Sequence, residues 1–343
     1  MPTLVHSLKS LNTFGIDCCC RELIRVSSNA ELVQACMQHK GDEIPMLILG
    51  GGSNLLLLED YQGTVIQVVT KGIEVSEDQT HFYLKVAAGE NWHDLVCETL
   101  KLGMPGLENM ALIPGTVGAA PIQNIGAYGV ELCQVCNWVE YLDLQTGALT
   151  CLEAADCGFG YRESIFKSEL KGRAVITSVG LKLPKDWQPK LSYGPLQSLA
   201  EETEVTAPMI FEQVCQVRQE KLPDPVVLGN AGSFFKNPVV AAADYLKLAE
   251  RFPDLVGYAQ QDGTIKLAAG WLIDKAGLKG FQMGAAAVHD KQALVLVNKG
   301  GASGEDVANL AREIIRQVQA LFGVELLPEP RIFAATGERS LWR

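Results

Sequence analysis

Apolar runs and alternations mark the chain as a succession of short strands at first, then a mixture of strands and helices. Pro45–Leu49 is a continuous apolar run of the kind a buried strand makes, and it enters Gly50-Gly51-Gly52-Ser53-Asn54 before a second run, Leu55–Leu58. Gly63–Val69 and Phe82–Ala88 read as further strands. Trp92, Leu95, Val96, Leu100 and Leu102 are spaced as the stripe of a helix over Trp92–Leu102. Asn137–Leu144 and Ala148–Leu152 form a hairpin around Gln145-Thr146-Gly147. Ala174–Leu183 alternates, with Val175, Thr177, Val179, Leu181 and Leu183 on one side, and Pro184 and Pro189 break the pattern. Helices are predicted over Met209–Glu220, Pro238–Glu250 and Lys266–Lys275, and a buried strand over Ala293–Asn298. Ser303 caps a long helix reaching Phe322, with Val307, Leu310, Ala311, Ile314, Ile315, Val318, Leu321 and Phe322 on one face. The Pro-rich stretch Leu222-Pro223-Asp224-Pro225 is the best domain boundary. There is no internal repeat, and the class is α+β.

One stretch fits neither period. From Asn109 to Val130 no residue is charged, a length sufficient to cross a bilayer. Pro114, Pro121 and the interspersed glycines would leave backbone groups unsatisfied in lipid, so a membrane helix is rejected and the segment needs another purpose. The net charge of -11 disfavours nucleic acid and anionic lipid as partners. A phosphorylated ligand would need a local pocket of Lys and Arg. The 343 residues suffice for two or three domains. Ten cysteines include one CxxC, Cys133-Gln134-Val135-Cys136, with no second pair or nearby His to complete a zinc site. No metal is expected, and the thiols read as the reduced cysteines of a cytosolic protein. The N-terminus carries no signal-peptide pattern.

Five segments are candidates for chemistry. Gly50–Asn54 is either a phosphate loop or a tight turn between strands, since neither the Gly-Lys-Ser/Thr of a P-loop nor the helix of a dinucleotide fingerprint follows. Ile113–Gly129 suits a flat polar ligand: backbone N–H groups for a pyrophosphate, Gln123 and Asn124 for ring carbonyls and nitrogens, or else a ligand-free internal loop. Arg162, in Gly160-Tyr161-Arg162-Glu163-Ser164, is an anion ligand or a surface ion-pair residue. Ser233, in Gly229-Asn230-Ala231-Gly232-Ser233-Phe234-Phe235, is a reacting hydroxyl or a turn serine, and lies outside any GxSxG elbow. Glu329, held between Pro328 and Pro330, is a placed carboxyl or a loop residue.

Taken together and in this order, Leu11–Phe14, Leu49–Asn54, Leu107–Gly129, Gly160–Phe166, Gly229–Pro238, Lys266–Ile273 and Pro328–Arg331 resemble one family, the UDP-N-acetylenolpyruvoylglucosamine reductases of bacterial peptidoglycan synthesis. The resemblance implies an FAD-binding fold of the vanillyl-alcohol-oxidase type plus a smaller α+β substrate-binding domain. Residues 1–68 joined by 324–343 would form the first flavin subdomain, 69–218 the second, and 219–323 the substrate domain. It implies non-covalent FAD, reduced by NADPH, and then hydride transfer from flavin N5 to the enolpyruvyl carbon distant from the ether oxygen of UDP-N-acetylglucosamine enolpyruvate. The product is UDP-N-acetylmuramate. A cytoplasmic monomer with a small-molecule substrate, and no nucleic-acid or membrane partner, is expected.

The family's residues carry over singly. Ser233 matches the proton donor, and Arg162 and Glu329 match the pair near the substrate carboxylate and developing enolate. Gly50, Gly51, Gly52, Ser53, Asn54, Pro114, Gly115, Thr116, Gly118, Ala119, Gln123, Asn124, Ile125, Gly126, Ala127, Tyr161 and Arg218 match the flavin contacts. Tyr193 matches a tyrosine closing over the diphosphate, on the loop that marks the longer of the family's two types. Lys221, Asn237, Tyr258, Lys266 and Gln292 match substrate contacts. Gly51 stands where close relatives carry Glu, Ala119-Ala120 replaces a more hydroxylated pair, and Leu327 replaces a frequent glutamate. The rival readings are a flavin oxidase of the same fold, with FAD attached through a residue such as His93, and a binding protein that has lost its chemistry.

The residue types suit the reaction. Hydride adds to an enol ether only if the carbon beside the carboxylate accepts negative charge, and Arg162 can pair with that enolate bidentately. A carboxylate at Glu329 would repel it, so Glu329 must be protonated at that moment or act by orienting neighbours. A serine hydroxyl can quench the carbanion without adding charge.

Overall fold

The computed structural model describes residues 5–41 and 44–342. The chain divides into two compact units, one of Met1–Arg21, Gly52–Gln62 and Lys221–Arg343, the other of Glu22–Gly51 and Gly63–Glu220. The chain thus passes from one unit to the other inside the glycine loop, between Gly51 and Gly52.

The second unit is built on a five-stranded antiparallel sheet whose strand order is Leu149–Glu153, Cys136–Asp143, Ala174–Pro184, His81–Ala87, Ile73–Glu77. The alternation expected over Ala174–Leu183 does not show as alternating burial: this central strand is buried almost throughout, on both of its faces. Helix Trp92–Lys101 starts where the Asn91 side chain accepts the Asp94 N–H at 3.0 Å. It turns Trp92, Leu95 and Val96 into a core shared with Leu107, Met110, Val117, Val139, Val179 and Leu181. Strand Met46–Leu49 pairs in parallel with Tyr61–Val68, Leu47 opposite Val65 and Leu49 opposite Gln67. The uncharged segment forms neither long helix nor strand. It coils through short 3-10 turns at Val117–Ala119 and Pro121–Gln123 and a small hairpin, Gly126–Ala127 with Val130–Glu131. Its apolar side chains, Met110, Ala111, Val117, Ala120 and Ile125, are buried in that core. That burial accounts for the absence of charge.

In the first unit a four-stranded sheet runs Asn230–Ser233, Val295–Asn298, Ala286–Val288, Gln282–Met283. Helix Gly304–Phe322 opens with a reciprocal capping box between Ser303 and Asp306 and closes at Gly323, φ 70°. Strand Leu55–Leu57 lies parallel to Arg331–Ala334, Leu56 opposite Ile332. A Cβ on Gly304 would run into the Leu57 carbonyl, so glycine admits the helix to close approach there.

Two helix expectations are corrected. The stretch from Pro238 begins as strand Val239–Val240, and the helix is Ala242–Arg251. Lys266 belongs to strand Ile265–Leu267, and the helix is Ala269–Lys275. The two misread ends pair with each other, Val239 opposite Lys266. Among the described residues no helix is long and apolar enough to cross a membrane. All ten cysteines are free thiols; Cys151 is exposed, whereas Cys18, Cys20, Cys36, Cys136 and Cys157 are buried. Burial pushes the thiols of Cys18, Cys136 and Cys157 up to about 12.

Candidate active site

In the second unit, the loop ending at Gly51 and the loop at Gly115 lie back to back. A Cβ on Gly51 would stand 3.1 Å from the Gly115 Cα, and one on Gly50 would strike the Thr116 hydroxyl. Gly118 is closer still: its Cβ would meet Ala88 Cβ at 2.5 Å, and its N–H donates to the Ala88 carbonyl at 2.8 Å. Close approach thus favours the smallest residue at each position, against the Thr116 side chain at Gly50, the Gly115 backbone at Gly51 and Ala88 at Gly118. Gly52, across the unit boundary in sequence, has φ 63° and a Cβ there would strike the Leu11 carbonyl. Ser53 and Asn54 complete the turn into strand Leu55–Leu57, with the Asn54 carbonyl accepting the Arg331 N–H at 3.1 Å.

Among the described residues four other than glycine adopt left-handed backbone: Leu112, Asn124, Tyr128 and Arg162. For non-glycine residues this conformation costs roughly 1 kcal/mol or more and persists only where neighbours enforce it. Each is pinned. Leu112 donates its N–H to His93 Nδ1 at 3.0 Å and accepts from Arg218 at 3.1 Å. The Tyr128 carbonyl accepts from Asn109 Nδ2 at 2.9 Å. Arg162 donates to the Gly126 carbonyl at 2.9 Å, and its own carbonyl accepts from Lys167 Nζ at 3.1 Å. Arg162 also lies over the ring of Tyr161, 5.5 Å from its centroid.

Asn124 corrects an expectation. Its side chain is fully buried: Nδ2 donates to Glu131 Oε2 and the Gly160 carbonyl, both at 3.1 Å, and Oδ1 accepts the Cys133 N–H at 2.9 Å. The amide ties the uncharged segment to the Gly160 loop instead of facing a ring. Ile125, Gly126 and Ala127 follow it into the small hairpin, whereas Ala119 and Gln123 end the two 3-10 turns and Pro114 precedes them.

Arg218 projects from helix Ala207–Lys221. Burial pulls its guanidinium pKa down, and among the described residues Nε finds no hydrogen-bond partner. A buried cation without a counter-charge is costly. The backbone cradle left by glycines and this incompletely satisfied guanidinium both fit a bound anionic, planar cofactor such as FAD. Tyr193 is exposed and meets Tyr128 edge-on, ring centroids 5.3 Å apart at 72°. A depression of about 230 Å³ lined by Glu74, Tyr83, Lys85, Asn137 and Trp138 contains no candidate residue.

In the first unit Ser233 ends a strand that pairs with Val295 after an irregularity at Ala231-Gly232, where Gly232 has φ 69°. Phe235 then bridges Pro328 in antiparallel sense, the Glu329 N–H donates to the Phe234 carbonyl at 2.8 Å, and Lys236 donates to the Leu327 carbonyl at 2.9 Å. The Ser233 and Glu329 segments are thereby fixed side by side. Sequence reading gave Asn230 no task, yet it organises this loop. It is buried, accepts the Gly232 N–H at 2.8 Å, and donates to the Leu228 carbonyl at 2.8 Å and the Pro223 carbonyl at 3.1 Å. Its N–H donates to the Thr13 carbonyl at 2.9 Å, and a Cβ on Gly229 would strike the Phe14 carbonyl. The Leu11–Phe14 motif is thus a brace for the Ser233 loop.

Tyr258 and Lys266 face each other in register on a three-stranded sheet. Asn237 Oδ1 accepts the Ala269 N–H at 2.9 Å, and a Cβ on Gly270 would lie 3.4 Å from Gln292 Oε1, which groups Asn237 and Gln292 at the start of helix Ala269–Lys275. Lys221 is exposed at the end of helix Ala207–Lys221.

Comparison with known proteins agrees with this picture. The family model "UDP-N-acetylenolpyruvoylglucosamine reductase, C-terminal domain" matches residues 224–333, and "FAD binding domain" matches 21–152. A UDP-N-acetylenolpyruvoylglucosamine reductase of Shewanella baltica is 64% identical over 340 residues, 99% of each chain. One from Salmonella typhimurium is 53% identical over 98% of each. The crystal structure of the corresponding reductase from Thermus caldophilus superposes with a TM-score of 0.66 at 28% identity, covering 96% of this chain and 98% of that one. Identity of this order along the whole length shows that the chain belongs to the UDP-N-acetylenolpyruvoylglucosamine reductase family, and it is an FAD-dependent oxidoreductase.

Proposed function

We propose that the protein reduces the enolpyruvyl group of UDP-N-acetylglucosamine enolpyruvate to UDP-N-acetylmuramate, with NADPH as reductant. The observation that carries this reading is the antiparallel clasp between Ser233–Lys236 and Leu327–Glu329, which holds a hydroxyl-bearing and a carboxyl-bearing residue on neighbouring backbone. Bound FAD supplies the hydride relay from NADPH to the substrate. Gly50 to Asn54, the 114–127 segment, Tyr161 and Arg218 hold it non-covalently, through backbone N–H groups and the guanidinium rather than through an Asn124 side chain already engaged elsewhere.

Arg162 stabilises the enolate that hydride addition creates on the substrate. Ser233 delivers the proton to the carbanionic carbon, and Glu329 orients or donates a proton beside it. Tyr193, Lys221, Asn237, Tyr258, Lys266 and Gln292 bind the nucleotide and sugar, with the lysines supplying positive charge that the acidic chain otherwise lacks. In functional terms residues 1–68 with 324–343, and 69–218, serve the flavin, and 219–323 serve the substrate. We place the enzyme in the cytoplasm as a monomer that engages neither nucleic acid nor membrane.

The test is anaerobic. Purified yellow protein is mixed with NADPH, with and without the enolpyruvyl UDP-sugar. Releasable FAD and sugar-dependent NADPH consumption support the reading, whereas flavin that NADPH reduces but the sugar does not reoxidise refutes it.

A further inference from the structure

We propose that His93 is a positioning residue of the flavin site: as a neutral imidazole it accepts the Leu112 N–H at Nδ1 and so fixes the carbonyl that anchors the Arg218 guanidinium. This rests on the reading that Arg218 faces FAD.

The geometry forms one relay. His93 lies in the first turn of helix Trp92–Lys101, and its ring stacks on Phe211 at 5.8 Å with planes 2° apart. Nδ1 accepts from Leu112 at 3.0 Å, and Nε2 lies 3.7 Å from Cys97 Sγ. Both ring nitrogens are therefore directed at protein groups. Leu112 has φ 55°, an unfavourable conformation for a branched side chain, and its carbonyl accepts from Arg218 at 3.1 Å. Released from His93, Leu112 can relax toward ordinary backbone, which swings its carbonyl away from the guanidinium. Phe211 and Arg218 both belong to helix Ala207–Lys221, so the imidazole contacts the helix that carries the cation as well as the loop that orients it.

The acceptor role requires an unprotonated Nδ1. The groups facing the imidazole are Asp94 and Cys97 on its own helix and Arg218 on the packed helix, where Cys215 borders both Cys97 and Arg218. Burial lowers the His93 pKa; Asp94 opposes this and the positive charge of Arg218 adds to it. The ring therefore stays neutral below the ordinary imidazole range, and acid breaks the relay when it protonates Nδ1.

The experiment titrates deflavinated enzyme with FAD by flavin fluorescence between pH 5 and 8, for wild type, His93→Phe, His93→Asn and Arg218→Met. Phenylalanine keeps the stack on Phe211 without an acceptor. The asparagine side-chain oxygen falls near the Nδ1 position. His93→Phe is expected to weaken FAD binding about tenfold at pH 7.5, as for loss of one buried hydrogen bond. His93→Asn should restore affinity and lack the loss that protonation of the wild-type imidazole brings as pH falls. If Arg218→Met weakens binding while His93→Phe stays within twofold of wild type, the relay is refuted. An acid loss in His93→Asn equal to that of wild type refutes it too, even if His93→Phe fails to fold. An Arg218→Met variant that binds FAD normally overturns instead the placement of Arg218 at the flavin.

Discussion

Replacing Asn124 separates a scaffold residue from a ligand contact. Asn124→Ala removes three hydrogen bonds, two donated at 3.1 Å and one accepted at 2.9 Å, from a fully buried position. It leaves the Cys133 N–H without its acceptor, while the Gly160 carbonyl keeps the Glu163 N–H at 3.2 Å. At about 1 kcal/mol for each bond, the loss is about 3 kcal/mol. Alanine also tolerates the φ of 46° less well than asparagine, which adds up to about 1 kcal/mol. Asn124→Gly suffers the same hydrogen-bond loss without the backbone penalty, so it should be the more stable of the two by about 1 kcal/mol. Urea unfolding of the deflavinated protein measures both, and a loss of 3 kcal/mol corresponds to a melting shift of roughly 6–12 °C for a unit of this size. The reasoning fails if Asn124→Ala unfolds within 1 kcal/mol of wild type while its FAD affinity collapses. That pattern would return the side chain to the ligand.

Other expectations follow from the same geometry. Ser233→Ala should leave flavin reduction by NADPH intact and slow reoxidation by the enolpyruvyl sugar by roughly 10²–10⁴-fold, measured by stopped flow. An effect on the NADPH half-reaction alone would remove Ser233 from the protonation step. Gly118→Ala places a methyl against Ala88, 2.5 Å from its Cβ, and should cost about 1–3 kcal/mol and reduce flavin content, read from the visible spectrum of the purified protein. Asp143 accepts from Arg173, and this, aided by the Gln145 N–H and opposed by burial, holds its carboxyl at about 2 against an ordinary 3.8. A carboxyl lowered on folding stabilises above its unfolded pKa and loses that effect as pH falls toward the folded value. Acid titration of wild type should therefore show a loss between about pH 4 and 2 that Asp143→Asn lacks.

What could be read from sequence was what repeats with a period. Helix Gly304–Phe322 and helix Trp92–Lys101 have large apolar residues on one face, and both were legible, the first with its Ser303 cap. Helix Asn29–His39 went unread because its buried face is Leu32, Ala35 and Cys36, too small and sparse to stand out. Strand Cys19–Val26 interleaves Arg21, Glu22 and Arg25 among its apolar residues. Val239 and Lys266 were drawn into helices because the partner that makes each a strand lies far off in sequence. At the candidate site, the motifs pointed to loops but not to the division of labour within them. An asparagine looks equally ready for a ligand whether or not its amide is engaged. Only the fold shows that Asn124 and Asn230 spend their side chains on groups within the protein while Ser233 sits at the end of a braced strand.

The distribution of thiols gives the chain its own set of unfolding probes. Cys18 and Cys20 are buried in the first unit, and Cys36, Cys136 and Cys157 in the second. Cys151 alone among the ten is exposed and takes an alkylating reagent without any opening. Modification of the five buried thiols waits on a local or global opening of known address, whereas Cys19, Cys97, Cys133 and Cys215 are partly exposed. Mass-resolved alkylation of the native enzyme thus reports, without any engineered label, whether the two units open together or one ahead of the other. Repeated with FAD bound, it maps which of those openings the cofactor suppresses.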